Sequence, residues 1–407
     1  MPICECKCKY KCECKCKCEC KCKCVKETEC KIRCKRKIFN CINKENNISP
    51  YKISSVSDFL NILENSTYSD NTDIKDNLYF RGENANYCHR TPTLYRNENL
   101  VFEGSEYYYR VLLNELGEDD YQENSSLVRL MSKLQHHGAA TRMLDVTTNP
   151  LIALYFAAQS YDKNDCNGDD DGYVYIYSSK NKPKNTSEKG NEEKAKKEKF
   201  DTGHTIAIKS ACNFIDQQKL NDFLDTMKNL VNSKCFSHQV ENTYEKSNKD
   251  LTLDELTGVI KDKKMRNITE FMELLNQRAK TKERLVFPFK IYDDLKKAHI
   301  VLPAKSTDRI RQQQGAFIYP CYVETKKDEN NRNICQINKE INKSIEDLSA
   351  RLKYNKFNYT KFKIIRSRKG IIRKQLEMLG ITKGFIYADI QNQSDTLLNQ
   401  LGNKNKN

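Results

Sequence analysis

The sequence predicts an α+β chain: a mixed, mostly antiparallel sheet of about six strands, with helices before and around it and a helical insertion. Three observations carry this expectation. Strand-like runs, strongest at residues 173–177 (YVYIY), are separated irregularly by stretches whose apolar residues recur at helical spacing. Residues 151–158 are all apolar and follow Asn149-Pro150, a good N-cap and a first-turn proline, so they read as a buried helix. Residues 214–280 carry repeated helical signals, with Leu220, Phe223 and Leu224 marking the first.

The elements follow in order. Phe59, Ile62 and Leu63 share one face of a helix that Ser57 could cap. Leu78, Tyr79 and Phe80 run straight into Arg81-Gly82-Glu83, as a buried strand runs into a polar turn. Residues 91–96 read as an extended connector, 105–116 as a helix, and 127–134 as a second helix starting at Ser125 or Ser126. That second helix ends at Gly138 and delivers His136 and His137 to a short segment carrying Thr141, Arg142 and Asp145. An acidic loop at 162–172 lacks the alternating ligands of a calcium loop. The Lys/Glu/Asn run at 179–199 reads as a flexible insertion, and 205–209 as a short strand. Further strands are expected at 286–289, 299–303 and 362–365, with 309–319 read as a polar turn entering a strand, then a helix at 370–379 ending at Gly380, and residues 385–388 close the fold. The Asn/Gln-rich end, 393–407, is expected to be a disordered tail.

Charge and cysteine are concentrated at the start. Thirteen of the 19 cysteines lie in residues 4–41, and residues 1–41 hold a net +8 of the chain's +15. The remaining +7 over 366 residues does not by itself select nucleic acid as a partner. The alternating Cys-Lys/Glu tail at 1–41 reads either as a metallothionein-like soft-metal binder or as low complexity with no fold of its own. The other six cysteines show no ligand spacing, so no metal is predicted for the main domain. No apolar leader is visible, and the longest apolar run is far shorter than the roughly 20 residues that span a bilayer. The expectation is therefore a cytoplasmic protein with reduced thiols and no membrane partner.

Three ordered motifs resemble one family. Tyr79-Phe80-Arg81-Gly82-Glu83 resembles the founding motif of the FRG domain. The block from Gln135-His136-His137-Gly138 through Thr141-Arg142, Leu144-Asp145, Thr147, Asn149-Pro150, Ala153-Leu154 and Phe156-Ala157 resembles its central signature. Arg309-Ile310 and Gln313-Gln314-Gly315 with Phe317 resemble its third motif, and 379–389 its closing segment, with Ala388 where a proline is usual. The likeness runs over about 55–392, with insertions at about 179–199 and 214–280.

The order of these motifs is more distantly similar to the ADP-ribosyltransferase superfamily. That similarity implies NAD as a substrate, with nucleic acid or protein as acceptor and a role as toxin or phage-defence effector. Carried over, Arg81 would clamp NAD phosphate or ribose, Thr141 or Thr147 would line the ribose pocket, and Gln313 would take the late catalytic position. His137 and Arg142 join the expected cofactor-binding set. Loss of nicotinamide leaves a positively charged ribose carbon, so catalysis asks for oriented hydrogen bonds and anion contacts. A glutamine cannot act as a general base, so Glu83 or Asp145 would supply the carboxylate, and the residues alone do not decide between them. Other readings stay open here. Arg142 and Asp145 could simply satisfy backbone groups at a corner of the fold. Arg81, Arg142 and Arg309 could serve a non-catalytic nucleotide- or nucleic-acid-binding module. His137, Asp145 and Glu83 could serve a hydrolase or nuclease.

Overall fold

The computed structural model describes residues 50–68, 78–87, 89–117, 126–160, 171–179, 198–200, 203–245, 247–260, 263–305, 307–325, 333–387 and 394. The cysteine tail, most of the acidic loop, nearly all of the 179–199 insertion and all of the C-terminal tail but residue 394 lie outside these residues.

The chain opens with β1 (Tyr51–Ile53), α1 (Val56–Asn65) and β2 (Thr67–Tyr68). The cap of α1 is Ser55 rather than Ser57: its hydroxyl accepts from the Asp58 amide at 3.0 Å. β3 (Leu78–Glu83) follows, then a 3₁₀ turn at Thr93–Arg96 where an extended connector was expected. α2 (Glu98–Phe102), α3 (Glu106–Glu115) and α4 (Leu127–His136) lead to β4 (Leu144–Thr147), α5 (Pro150–Ala157), β5 (Gly172–Ser178) and β6 (Glu198–Phe200). A helical run comes next: α6 (His204–Ala211), α7 (Gln217–Val231), α8 (Lys234–Tyr244), α9 (Leu253–Val259), α10 (Lys263–Arg278) and α11 (Pro288–Lys296). The remainder is β7 (His299–Leu302), α12 (Asp308–Gln312), β8 (Gly315–Tyr319), α13 (Ile334–Glu346), β9 (Leu352–Tyr354), β10 (Phe357–Tyr359), β11 (Lys361–Ile364), α14 (Arg366–Met378) and α15 (Lys383–Ile386).

The architecture is α+β. The main sheet has eight strands in the order β1-β11-β5-β3-β4-β8-β7-β6, and only the outermost pairs, β1 with β11 and β6 with β7, are parallel. A second sheet, β10-β9-β2, is small. Two of the expected strands are helical instead. Residues 205–209 lie in α6, which is buried on most of its faces, so an apolar run without clean periodicity carried no helix signal. Residues 286–289 run into α11, because Pro288 takes the first helical position and cannot donate to a ladder.

Each face of the sheet has its own core. One is built from Phe80, Val174, Ile176, Phe362 and Ile364 against α1, α5 and α14. The other packs Tyr79, Leu144, Val146 and Tyr177 against α3, α4, α6 and the 214–280 helices. Phe223 of α7 and Phe271 of α10 stack at 4.0 Å within that second core, so these helices share the hydrophobic interior of the sheet.

A buried lysine marks the same core. Lys209 is fully enclosed and donates to the carbonyls of Lys297 and Pro320, each at 2.8 Å. Burial pushes its ammonium down to about 8, only partly opposed by Cys321 and Asp294. This lies below the ordinary 10.5, so between those values the unfolded chain holds the extra proton and stability rises with pH. Between pH 7.5 and 9.5 the stability of the parent relative to Lys209→Met should rise by about 1–2 kcal/mol. Urea unfolding of both proteins across that range checks it, and a flat difference refutes the assignment.

Candidate functional site

The site forms where β3 and β4 part. β3 pairs with β5 along all six residues, yet with β4 only through Phe80 and Thr147. β4 turns instead to β8, pairing along its whole length. The main chains of residues 81–83 and 144–146 therefore flank a wedge with no ladder across it. Arg81 spans the wedge. Its Nε donates to Glu83 Oε1 at 2.8 Å, and its Nη1 donates to the Asp145 carbonyl at 2.7 Å, taking the place of a strand partner. Glu83 is nearly sealed, with 4% of its side chain exposed against 19% for Arg81. Arg81 is therefore a brace already paired with a carboxylate, which leaves little of it to clamp an anion.

Local chemistry brings Asp145 to the mouth of the wedge. α4 stops at His137, and Gly138 takes φ 90°, a conformation that suits glycine. The chain then turns through Thr141, which is fully buried and whose hydroxyl donates to Gln135 Oε1 at 2.5 Å. Gln135 Nε2 in turn donates to Asp145 Oδ1 at 2.7 Å. Asp145 thus has one oriented oxygen while its side chain stays exposed. Surrounding protein raises its carboxyl above the ordinary range, opposed by Arg81 and then Arg309.

The opposite wall comes from the third motif. Thr147 donates to the Gln313 carbonyl at 2.6 Å and accepts from the Asn149 amide at 3.0 Å, tying β4, α5 and the end of α12 together. Gln313 Nε2 donates to the Ile386 carbonyl at 3.0 Å, so it holds α15. Arg309 lies 5.4 Å over the ring of Tyr387, with no hydrogen bond or ion pair from its guanidinium among the described residues.

Other expected site residues lie elsewhere. Arg142 is 3% exposed and inside the core, where it donates to Asn213, Ser105 and Gln217. It is neither beside the wedge nor paired with Asp145. His137 is exposed at the helix end, its ring 4.9 Å from that of His136. No group of three His, Cys, Asp or Glu side chains among the described residues could hold a metal ion, so His137, Asp145 and Glu83 do not form one.

Behind Arg81 lies a set of polar groups that motif reading did not assign. Glu83 Oε2, Arg90 Nε and the hydroxyls of Tyr175 and Tyr177 are buried without hydrogen-bond partners. Arg90 stacks 4.1 Å over Tyr175 and pairs with Glu346 at 2.6 Å. Burial pushes the Tyr177 phenol up to about 12, against the nearby Arg90. The alternation YVYIY was the available signal, because period two puts Tyr175 and Tyr177 on one face with Arg81 opposite Tyr175.

Among the described residues no helix is long and apolar enough to cross a membrane. Residues 76–166 match the FRG domain family, a span that holds β3, α4, β4 and α5, and so both strands that flank the wedge, but not Arg309 or Gln313 of the opposite wall. No curated protein and no solved structure matches the chain.

Proposed function

We propose that this FRG-domain chain is an ADP-ribosyltransferase-like enzyme, in fold and in chemistry, that takes NAD into the wedge between β3 and β4. One observation carries the reading: the two strands separate after a single pair, with the open carboxylate of Asp145 and the unpaired guanidinium of Arg309 at the mouth. The residues suit the ligand. Arg309 can take a pyrophosphate, Tyr387 offers an aromatic face, and Asp145 can accept from ribose hydroxyls.

NAD would supply a glycosidic bond whose cleavage leaves positive charge on the ribose. The chain's own part is orientation and charge. Gln135 fixes one oxygen of Asp145, so the carboxylate faces developing positive charge without having to reorganise. Arg81, held by Glu83, keeps the strand end that carries Asp145 in place. This divides the roles differently from the motif carry-over: Arg309 in place of Arg81 as the anion clamp, and Asp145 in place of Gln313 as the catalytic polar group.

The test uses the full chain with NAD labelled in the adenylate half, following nicotinamide release and label transfer to protein, DNA and RNA. Release by the parent is expected, with Asp145→Asn slower by about 100-fold at little change in NAD affinity. Arg309→Gln should mainly weaken NAD binding. Binding without release would favour the non-catalytic nucleotide module, and neither binding nor release would overturn the proposal.

A further inference from the structure

The protein supplies no partner for four of its own buried polar atoms beside Arg81: Glu83 Oε2, Arg90 Nε and the hydroxyls of Tyr175 and Tyr177. Register brings them together. Tyr175 stands opposite Arg81 in the β3–β5 ladder, Tyr177 follows two residues along the same face, and Glu83 lies two residues past Arg81. The Arg90 guanidinium sits 4.1 Å over the Tyr175 ring. Both phenols lie within the electrostatic reach of Glu83 and Arg90. A buried polar group without a partner carries its full desolvation cost, so four in one place call for something that pairs with them.

Each of these side chains is held at another point, so the groups are oriented in advance. Glu83 Oε1 accepts from Arg81 Nε at 2.8 Å. Arg90 Nη2 donates to Glu346 Oε1 at 2.6 Å, and its amide donates to Asn342 Oδ1 at 3.1 Å. Asn342 Nδ2 in turn donates to Glu346 Oε1 at 2.9 Å. Tyr175 and Tyr177, 5% and 1% exposed, are packed into the core of this face. Their chemistry selects the partner. Arg90 Nε only donates, a carboxylate oxygen of Glu83 only accepts, and a phenol does both. An anion would suit Arg90 and face Glu83 as a like charge. A cation would suit Glu83 and face Arg90. A neutral group that both donates and accepts satisfies all four. A primary carboxamide matches them in number: its oxygen accepts from Arg90 Nε and one phenol, and its two N–H groups go to Glu83 Oε2 and the other phenol oxygen. The tyrosine rings give an aromatic carboxamide a surface to pack on.

We infer that Glu83, Arg90, Tyr175 and Tyr177 form a seat for a primary aromatic carboxamide, entered from the wedge past Arg81. Arg81 borders both places: Nη1 donates to the Asp145 carbonyl in the wedge, and Nε donates to Glu83. Taking the carboxamide as the nicotinamide end of NAD rests on the transferase reading; the seat itself rests on the hydrogen-bonding groups alone.

The test titrates the full chain with free nicotinamide, nicotinic acid and propionamide by calorimetry, without NAD. Tyr175→Phe and Tyr177→Phe are compared with the parent and with Tyr109→Phe, a control in the same core whose hydroxyl donates to the Ala140 carbonyl at 2.8 Å. The parent is expected to bind nicotinamide, and nicotinic acid about tenfold or more weakly, because a carboxylate brings Glu83 a like charge and no donor. Tyr175→Phe and Tyr177→Phe should each weaken nicotinamide binding by about three- to tenfold without lowering the melting temperature, since neither removes a hydrogen bond within the protein. Tyr109→Phe should do the reverse, losing melting temperature and keeping affinity. No binding of nicotinamide by the folded parent overturns the proposal and leaves the four groups to buried water only. Equal binding of nicotinic acid, or equal losses of affinity in all three variants, overturns it as well. Propionamide binding more tightly than nicotinamide overturns the aromatic assignment in favour of a protein side-chain amide. A chain that binds nicotinamide as expected but leaves NAD intact fails the transferase reading alone. Nicotinamide release from NAD that Tyr175→Phe and Tyr177→Phe leave unchanged fails this inference alone.

Discussion

Gly82→Ala is expected to leave little folded protein. A Cβ at position 82 would stand 1.8 Å from the Ala153 carbonyl oxygen, 2.7 Å from its carbon and 2.8 Å from the Ala157 amide nitrogen. All three are backbone atoms of α5, so no side chain can rotate away. Nor can the helix slide along the sheet: on the neighbouring strand a Cβ at Gly172 would meet the Ala157 carbonyl oxygen at 2.1 Å. α5 would have to lift off both strands, opening the core it shares with Ile152, Leu154 and Val174. Overpacking ordinarily costs about 1–3 kcal/mol, and a clash with main chain falls at or beyond the top of that range. Against a total of about 5–15 kcal/mol, such a loss is severe. Gly370→Ala is the control, since its Cβ would meet nothing within 4 Å on α14. It should be neutral or stabilising by about 0.5–1 kcal/mol. Soluble yield and urea midpoints of both variants decide the matter, and a Gly82→Ala midpoint equal to the parent's would refute the close approach.

Arg142→Ala is expected to cost about 3–5 kcal/mol, from the cavity left by a large buried side chain together with the buried acceptors it leaves unpaired. The guanidinium donates to Asn213 Oδ1 at 3.1 Å, Ser105 Oγ at 3.3 Å and Gln217 Oε1 at 3.5 Å, and lies 5.6 Å and 5.1 Å from the ring centres of Tyr95 and Tyr322. Truncation leaves three buried acceptors without their donor and opens a void among aromatic rings. Arg142→Lys should recover only part of the loss, because one ammonium cannot reach three partners on a planar fork. The measurement is denaturant unfolding together with NAD affinity. A core role lowers the midpoint and leaves the affinity of the folded fraction intact. A ligand contact would do the reverse.

These two substitutions explain adjacent letters of the motifs in physical terms. In β3, successive residues face opposite sides, so Arg81 reaches across the wedge while Gly82 meets α5. In the second motif Thr141, Arg142 and Asp145 look like one polar group. The fold sends Arg142 into one core, uses Thr141 to hold Gln135, and leaves only Asp145 open.

The sequence by itself determined the local features. The Asn149 cap with Pro150 at the start of α5, the stop of α4 at Gly138, the end of α14 before Gly380 and the strands β5, β8 and β11 all follow from caps, glycine conformation and periodicity. Each is set within a few residues of chain. The α+β class and the FRG motifs were legible for the same reason. Only the tertiary structure decided the rest. The edge strands β1 and β6 are three residues long and exist through pairing with strands far away in sequence. α6 is helical because its surroundings bury it, against a strand-like run of residues. That Arg81 is hydrogen-bonded while the Arg309 guanidinium makes no hydrogen bond or ion pair among the described residues, and that Asp145 is exposed where Glu83 is buried, depends on partners that sequence distance hides. A side chain's charge is written in its type. Whether that charge is spent inside the protein depends on what packs against it.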